Sequence, residues 1–184
     1  AAWVKEATEV RGLPELKSTV DALPHFLDEK NVKVFTKHKV FTEVEMHSRT
    51  EILLENYSKT INIEALTTAE MATKEILPAV MAYEKQVCDV LLSMKNAGVA
   101  YNLETSIANK IDSLAESLNS KIAELDSAIV KAQCISDFNQ PANSYHDEEF
   151  STMQSLSAVA DELETIVGEK YWPVPTYEEL LFNV

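Results

Sequence analysis

The feature that most constrains this chain is a long run in which almost nothing interrupts the backbone. Between Glu43 and Asn96 the sequence has no glycine and a single proline, Pro78. The whole chain has three glycines in 184 residues, although 46% of its residues are hydrophobic. Sheet-rich folds need many tight turns, so this scarcity predicts long helices. Because proline lacks an amide donor and its ring clashes with the preceding turn, we expect a kink or break near Leu77.

Apolar residues at spacings of three and four predict three consecutive long helices with matching seams. The seams consist of Ile76, Val80, Tyr83, Val87, Val90 and Met94; of Ile107, Ile111, Leu114, Leu118, Ile122, Leu125 and Ile129; and of Met153, Leu156, Ala160, Leu163 and Val167. Gly98 and Gly168 are predicted to end the first and third helices, and residues 137–143 to form a loop. The sequence therefore predicts an all-α fold. An antiparallel bundle of three long helices would follow a kinked leading helix.

Capping signals predict where the leading and last helices begin. Thr42 with Glu45, and Thr176 with Glu179, have the spacing of a capping box, in which each side chain bonds the other residue's amide. We predict short helices over residues 1–41, including a helix at 32–36 despite its strand-like alternation. Residues 42–170 are predicted to form the bundle. Residues 171–184 form a proline-containing aromatic tail, whose short terminal helix should dock onto folded protein.

The stretch NYSKTINIEA, residues 56–65, has apolar residues all round the predicted helix. With Ile52 at 0° on a helical wheel, Leu53 falls at about 100°, Ile61 at about 180° and Leu66 at about 320°. We therefore expect this helix to be buried on most sides. A three-helix bundle covers one side, so the remaining cover would come from the opening segments, the tail, another copy or further polypeptide. The candidate interface residues are Ile52, Leu53, Leu54, Tyr57, Ile61, Ile63, Leu66, Trp172 and Tyr177.

Net charge restricts the classes of partner. Sixteen basic and thirty acidic residues give a formal charge of −14, which repels nucleic acid and anionic lipid. Residues 1–57 carry 8 basic and 10 acidic residues, against 8 and 20 in residues 58–184, so the first part could face other protein. No apolar run reaches the roughly 20 residues of a membrane span. We expect a soluble, cytoplasmic protein that binds neither nucleic acid nor membrane.

Candidate chemistry is sparse. Glu43, His47 and Glu51 could present a row of carboxylate, imidazole and carboxylate to a metal, but a metal site normally gathers ligands from more than one element. Arg49 could clamp an anion or form an ion pair between subunits. Cys88 and Cys134 are isolated and are expected to be idle thiols rather than a disulfide. No phosphate-binding loop, nucleophile elbow or HExxH helix is present. We assign no catalytic, cofactor-binding or metal-binding residue.

The chain also resembles a known family. The run VFTEVEMHSRTEILLENYSKTINIEALTTAEM at residues 40–71, continuing into ILPAV, and the ending YWPVPTYEELLFNV resemble the C-terminal region of type III glutamine synthetases, the large-subunit bacterial form. The opening AAWVKEATEVRGLPELKSTVDALP resembles the stretch that precedes it. Across residues 101–147 this chain and the family share the periodic pattern of a helical bundle more than they share identical residues.

The resemblance implies an origin in an enzyme that joins ammonia to glutamate with ATP and Mg²⁺ or Mn²⁺, through a γ-glutamyl phosphate. In that family the catalytic residues lie upstream on a curved sheet, and no position here matches them. Residues 1–41 would then link to a catalytic domain. The helices would pack against that domain and against other copies in homo-oligomeric rings, or serve a regulatory role, and this segment alone would be inactive.

Two other functional hypotheses remain open at this point. The chain could be a free-standing helical module that binds a partner helix through its surface between Ile52 and Leu66. It could also be a complete small enzyme with a metal site around Glu43 and His47. Ile61→Asp and Leu53→Asp are both expected to disturb assembly or docking more than helicity.

Overall fold

The computed structural model describes residues 2–134 and 143–182, without the side chains of residues 133, 134, 143–147, 177 and 178. Every regular element in this described part is helical, which confirms the predicted all-α class. The predicted loop at 137–143 lies largely outside the described residues, as does the side chain of Cys134. No helix in the described ranges combines the length and apolar character that a membrane span requires.

The elements follow one another as eight α-helices with three tighter or wider turns among the described residues. They are α1 (Ala2–Lys5) with a π-helical turn (Glu6–Val10), α2 (Thr19–Ala22) with a 3₁₀ turn (Leu23–Leu27), α3 (Glu29–Lys37), α4 (Glu43–Met71), a π-helical turn (Ala72–Ile76), α5 (Leu77–Ala97), α6 (Asn102–Cys134), α7 (Asn143–Glu164) and α8 (Tyr177–Phe182). The segment at 32–36 is helical, as predicted.

The helix that begins after Thr42 does not break at Pro78. A π-helical turn over Ala72–Ile76 joins α4 to α5, and the amide of Leu77 donates to the carbonyl of Ala72, five residues back. Proline stands in the first turn of α5, where it is best tolerated. The perturbation expected near Leu77 is therefore a wider turn of continuous helix.

The described residues fall into two compact units, and the boundary lies within α4, after Ile61. The first unit comprises residues 2–61 with 143–146, and the second comprises 62–134 with 147–182. The division at residues 41 and 170 that the sequence suggests rests on different criteria and stays a prediction.

An aromatic cluster holds the first unit together. The ring centroids of Phe26 and Phe35 lie 5.4 Å apart, and those of Phe35 and Phe41 lie 5.6 Å apart. Directly after Phe41, the amide of Thr42 donates to Glu45 Oε2 at 2.7 Å and the amide of Glu45 donates to Thr42 Oγ1 at 3.3 Å. This pair confirms the predicted capping box and fixes the start of α4 beside the cluster.

Lys39, two residues beyond the end of α3, has a backbone conformation that suits glycine. Its φ is +52°, and the amide of Val40 donates to the carbonyl of Phe35 at 3.0 Å, as in a Schellman motif. A side chain in the left-handed region costs about 1 kcal/mol. We predict that Lys39→Gly raises the free energy of unfolding by about 0.5–1 kcal/mol in urea titrations. Lys33→Gly, in the middle of α3, should lower it by a similar amount.

The second unit contains α5, α6 and most of α7, the three predicted long helices. The seams of α6 and α7 are buried or half-buried along their length, and the largest fully buried side chains include Leu118, Leu125, Leu156 and Leu163. Two details differ from the prediction. Val90 is exposed rather than part of the α5 seam. Also, α7 ends at Glu164 rather than at Gly168, since Val167 already belongs to a turn that bonds back to Leu163.

Ion pairs establish that α6 and α7 are antiparallel. Lys110, near the start of α6, pairs with Glu162 near the end of α7 at 3.0 Å, and Lys131 pairs with Glu148 at 2.5 Å. Gly98, with a φ of +70°, forms the left-handed exit from α5, as predicted. A short turn then reverses the chain into α6, which packs along α5.

The beginning of the tail docks onto α5. The ring of Tyr171 packs against Tyr83 at 5.5 Å between centroids, and its hydroxyl donates to Gln86. Thr176 and Glu179 form the predicted capping box, with 2.9 Å from the Thr176 amide to Glu179 Oε2. Leu180, Leu181 and Phe182 are nevertheless exposed. At these three side chains of α8 the predicted docking onto folded protein is not seen, because no described segment covers them.

Candidate interaction surface

The part of α4 in the first unit separates its predicted interface residues into two groups. Ile52 and Leu53 are exposed, whereas Leu54 and Tyr57 are half-buried. Ile61 is only 7% exposed and belongs to the core. The sequence predicted that Ile61→Asp disturbs assembly or docking more than helicity, whereas this burial predicts a large effect on folding, since the charge would enter the protein's own interior.

The part of α4 in the second unit repeats this division. Ile63 is 62% exposed and Leu66 is also exposed, while Ala65 and Ala69 are buried. Small side chains let the neighbouring helices approach α4 closely at its alanine face. The thioether of Met153 on α7 lies 4.0 Å from the hydroxyl of Thr68, one turn along.

Two further candidates lie in the tail. Trp172 is half-buried, and its indole Nε1 is buried without a hydrogen-bond partner among the described residues. The side chain of Tyr177 lies outside the described part of the structure, so its interface role stays a prediction.

The single chain leaves part of α4 uncovered, so the burial of this helix on most sides stays a prediction for a larger assembly. Ile52, Leu53, Ile63 and Leu66 are all exposed to solvent. Scattered exposed leucines are normal, but four large apolar side chains on one helix mark a surface that other polypeptide could bury.

Most polar groups beside these residues are satisfied within the helix. Ser58 and Thr60 donate to backbone carbonyls four residues back, at 3.0 and 2.9 Å. Lys59 pairs with Glu55 at 2.6 Å. Asn62 is the exception in this stretch, since its Oδ1 is buried and has no partner among the described residues. The polar groups in this stretch therefore impose little need for an outside partner, and the exposed apolar atoms carry the case.

The suggested metal row is not assembled into a site. Glu43, His47 and Glu51 are exposed, and within the described residues no three His, Cys, Asp or Glu side chains lie together in a way that could hold an ion. The absence of catalytic and cofactor ligands from this chain stays a prediction.

Arg49 acts within the chain. Its guanidinium lies 4.6 Å from the centre of the Phe41 ring, a cation–π contact that joins α4 to the aromatic cluster. It also lies close enough to Glu45 to help lower the pKa of that carboxyl, although the hydrogen bonds from Thr42 are the larger cause. The structure thus supplies an intramolecular role, and the anion clamp and the ion pair between subunits stay hypotheses.

Sequence reasoning missed one unusual residue, Glu149. It is 2% exposed, and its Oε1 has no hydrogen-bond partner among the described residues. Burial, followed by the neighbouring Glu148 charge, raises the pKa of the Glu149 carboxyl. The sequence did contain a signal for the burial of Glu149. This residue stands four positions before Met153, so it extends the buried seam of α7 by one turn.

Comparisons with known proteins converge on one family. The family model described as the glutamine synthetase C-terminal domain matches residues 1–95. A glutamine synthetase of Butyrivibrio fibrisolvens is 36% identical over 99% of this chain and 26% of its own length. A type-3 glutamine synthetase of Dictyostelium discoideum is 32% identical over 97% of this chain and 25% of its own length. A glutamine synthetase of Bacteroides fragilis is 26% identical over 98% of this chain and 26% of its own length.

The chain therefore spans about a quarter of the length of the curated relatives it matches, at their C-terminal end.

Proposed function

Because the chain belongs to the glutamine synthetase family as an example of its C-terminal domain, we propose that it serves to pack a synthetase subunit against its own catalytic part and against other copies. The resemblance seen at residues 40–80 and 171–184 is confirmed, and one relative is a type-3 enzyme. The bacterial description is supported in part, by the Butyrivibrio and Bacteroides relatives.

The observation that carries this proposal is the exposed apolar set on α4. Within the matched residues 1–95, α4 leaves Ile52, Leu53, Ile63 and Leu66 uncovered. A soluble chain gains stability when such side chains are removed from water, at about 25 cal/mol for each Å² buried. The first 57 residues have nearly balanced charges, so they repel an adjoining protein surface less than the acidic remainder does.

In this proposal the chemistry belongs to the rest of the enzyme. The parent reaction would be the ATP-dependent ligation of ammonia to glutamate, with Mg²⁺ or Mn²⁺. The described residues gather no carboxylate cluster for such an ion, so we route no catalytic step through this chain. It would be inactive alone.

A glutamine-formation assay tests inactivity. The chain with glutamate, ammonia, ATP and Mg²⁺ or Mn²⁺ should yield no glutamine above a protein-free blank, and turnover would refute the assignment of the chemistry elsewhere. The gene sequence upstream of residue 1 distinguishes this proposal from the alternative, a free-standing interaction module. A start codon directly before residue 1 would exclude a longer subunit.

The packing role predicts that a charge on α4 weakens assembly. In the protein encoded by the complete gene, Ile63→Asp should lower the oligomer mass measured by light scattering, because burying a carboxylate at an interface costs several kcal/mol. Ser113→Asp adds the same charge to an exposed position of α6 and is the matched control. If both variants and the wild type had equal oligomer masses, the proposal that α4 lies in the interface would be wrong. Helicity measured by circular dichroism should not change in either variant.

A further inference from the structure

A second apolar stripe lies on α5, outside the surface on α4. Met81 and Leu92 are 59% and 58% exposed, Cys88 is exposed, and Leu77 is half-buried. With Leu77 at 0° on the wheel, these four side chains lie between 0° and about 60°. Leu77 and Cys88, like Met81 and Leu92, are eleven residues apart, a spacing at which a stripe drifts by only about 20° around a straight helix. The stripe extends about 22 Å along α5.

We propose that the α5 stripe packs against the α5 stripe of a second copy, with the two helices parallel and in register. This goes beyond the proposed role of α4 and does not depend on it. Under a two-fold axis along the helices, each apolar residue meets its own counterpart, so Cys88 faces Cys88 of the other copy.

Two charges favour this occupant and this direction. Glu84 and Lys85 stand at about 340° and 80° on the same wheel, one on each side of the stripe. In a parallel pair, Glu84 of each copy lies beside Lys85 of the other, on both sides of the contact. In an antiparallel pair Glu84 would lie beside Glu84, and Lys85 beside Lys85. Lys95, near the end of α5, is long enough to turn its ammonium into solvent.

The expected contact is weak in the isolated chain. A stable interface buries about 800 Å² on each partner, which is more than one helical stripe supplies. Trapping therefore measures the contact better than mass alone. Cys88 provides the trap, since diamide oxidises two thiols to a disulfide and is itself reduced to the hydrazine by the two electrons and two protons released.

The test is the rate of disulfide dimer formation in a Cys134→Ser background, followed on non-reducing gels. The control combines Cys88→Ser with Asp112→Cys, which moves the thiol to an exposed position on α6. Cys88 should cross-link at least about tenfold faster than this control. Glu84→Lys or Lys85→Glu alone should slow the reaction about threefold to tenfold, and the double exchange should restore it. Met81→Glu should also slow it.

Three outcomes would overturn the proposal. The first is a control rate equal to that of Cys88. The second is indifference to both single charge reversals, which would indicate an antiparallel pair or random collision. The third is failure of the double exchange to restore the rate while circular dichroism shows native helicity. None of these outcomes bears on the assay for glutamine or on assembly through α4.

Discussion

Ile61→Asp should lower the free energy of unfolding of this chain by about 3–5 kcal/mol. Ile61 is 7% exposed within the first unit, so the substitution removes buried methylenes and leaves a carboxyl without water. Urea titration followed by circular dichroism measures the loss. Since natural domains are stable by about 5–15 kcal/mol, this loss is a large share of the total stability and should shift the urea midpoint clearly downwards.

Leu53→Asp is the matched control for this prediction. It makes the same change in chemistry on the same helix and in the same unit, but at an exposed position. Its unfolding free energy should stay within about 0.5 kcal/mol of the wild type, while assembly of the complete subunit should weaken. Ile61→Val, which keeps the site apolar, should lose only about 0.5–1.5 kcal/mol. Equal losses for the two aspartates would contradict the assignment of Ile61 to the core and of Leu53 to the surface.

The contrast between Ile61 and Leu53 illustrates what periodicity can and cannot predict. A helical wheel gives the angle between two side chains, but it identifies the inner side only when one side is polar. On α4 every side carries an apolar residue. In the later part of this helix the buried side is marked by Ala65 and Ala69, small residues that a search for large hydrophobic side chains overlooks.

Where one face was clearly polar, the prediction held. The seams of α6 and α7 were assigned correctly almost to the residue. In both helices the face opposite the apolar seam carries charged and polar residues, which identifies the inner face. The two capping boxes were also found, since a cap depends on residues only three positions apart. These local signals need no knowledge of the neighbouring helices.

The features that sequence reasoning missed depend on contacts distant in the chain. The exposure of Val90 and of α8 depends on which other segments of the fold pack against them. At Pro78 the sequence predicts a perturbation but not its form, because a π-helical turn can accommodate the ring as well as a break can. For the interaction surface, the sequence indicated α4, and only the structure distinguished the buried residues of this helix from its exposed residues.

Glu149→Met should raise the free energy of unfolding at pH 7.5 by about 1–3 kcal/mol. Glu149 is buried with one oxygen unpartnered among the described residues, so the wild-type fold must either bury a carboxylate or bind a proton. Methionine has a similar length and removes both costs. Glu149→Gln removes the charge but retains a polar group, and its stabilisation should be smaller.

The pH dependence identifies the cause of this stabilisation. Burial raises the pKa of the Glu149 carboxyl above its ordinary value of 4.5. For a group whose pKa is raised by folding, the stabilising effect of its bound proton is complete below the unfolded pKa and is lost as pH rises through the folded pKa. The advantage of Glu149→Met should therefore be smallest near pH 4 and grow as the pH rises.

Urea titrations at pH 4 and pH 7.5 distinguish this titration from a general effect of packing. Glu162→Gln, on the same helix, replaces a carboxylate that is about half exposed and paired with Lys110, and its effect should stay below about 1 kcal/mol at both pH values. If Glu149→Met gained as much at pH 4 as at pH 7.5, methionine would be acting through its apolar contacts rather than by removing a buried titrating group. A loss of stability at both pH values would instead mean that the carboxyl makes a favourable interaction in the fold, and the raised pKa would need a different origin.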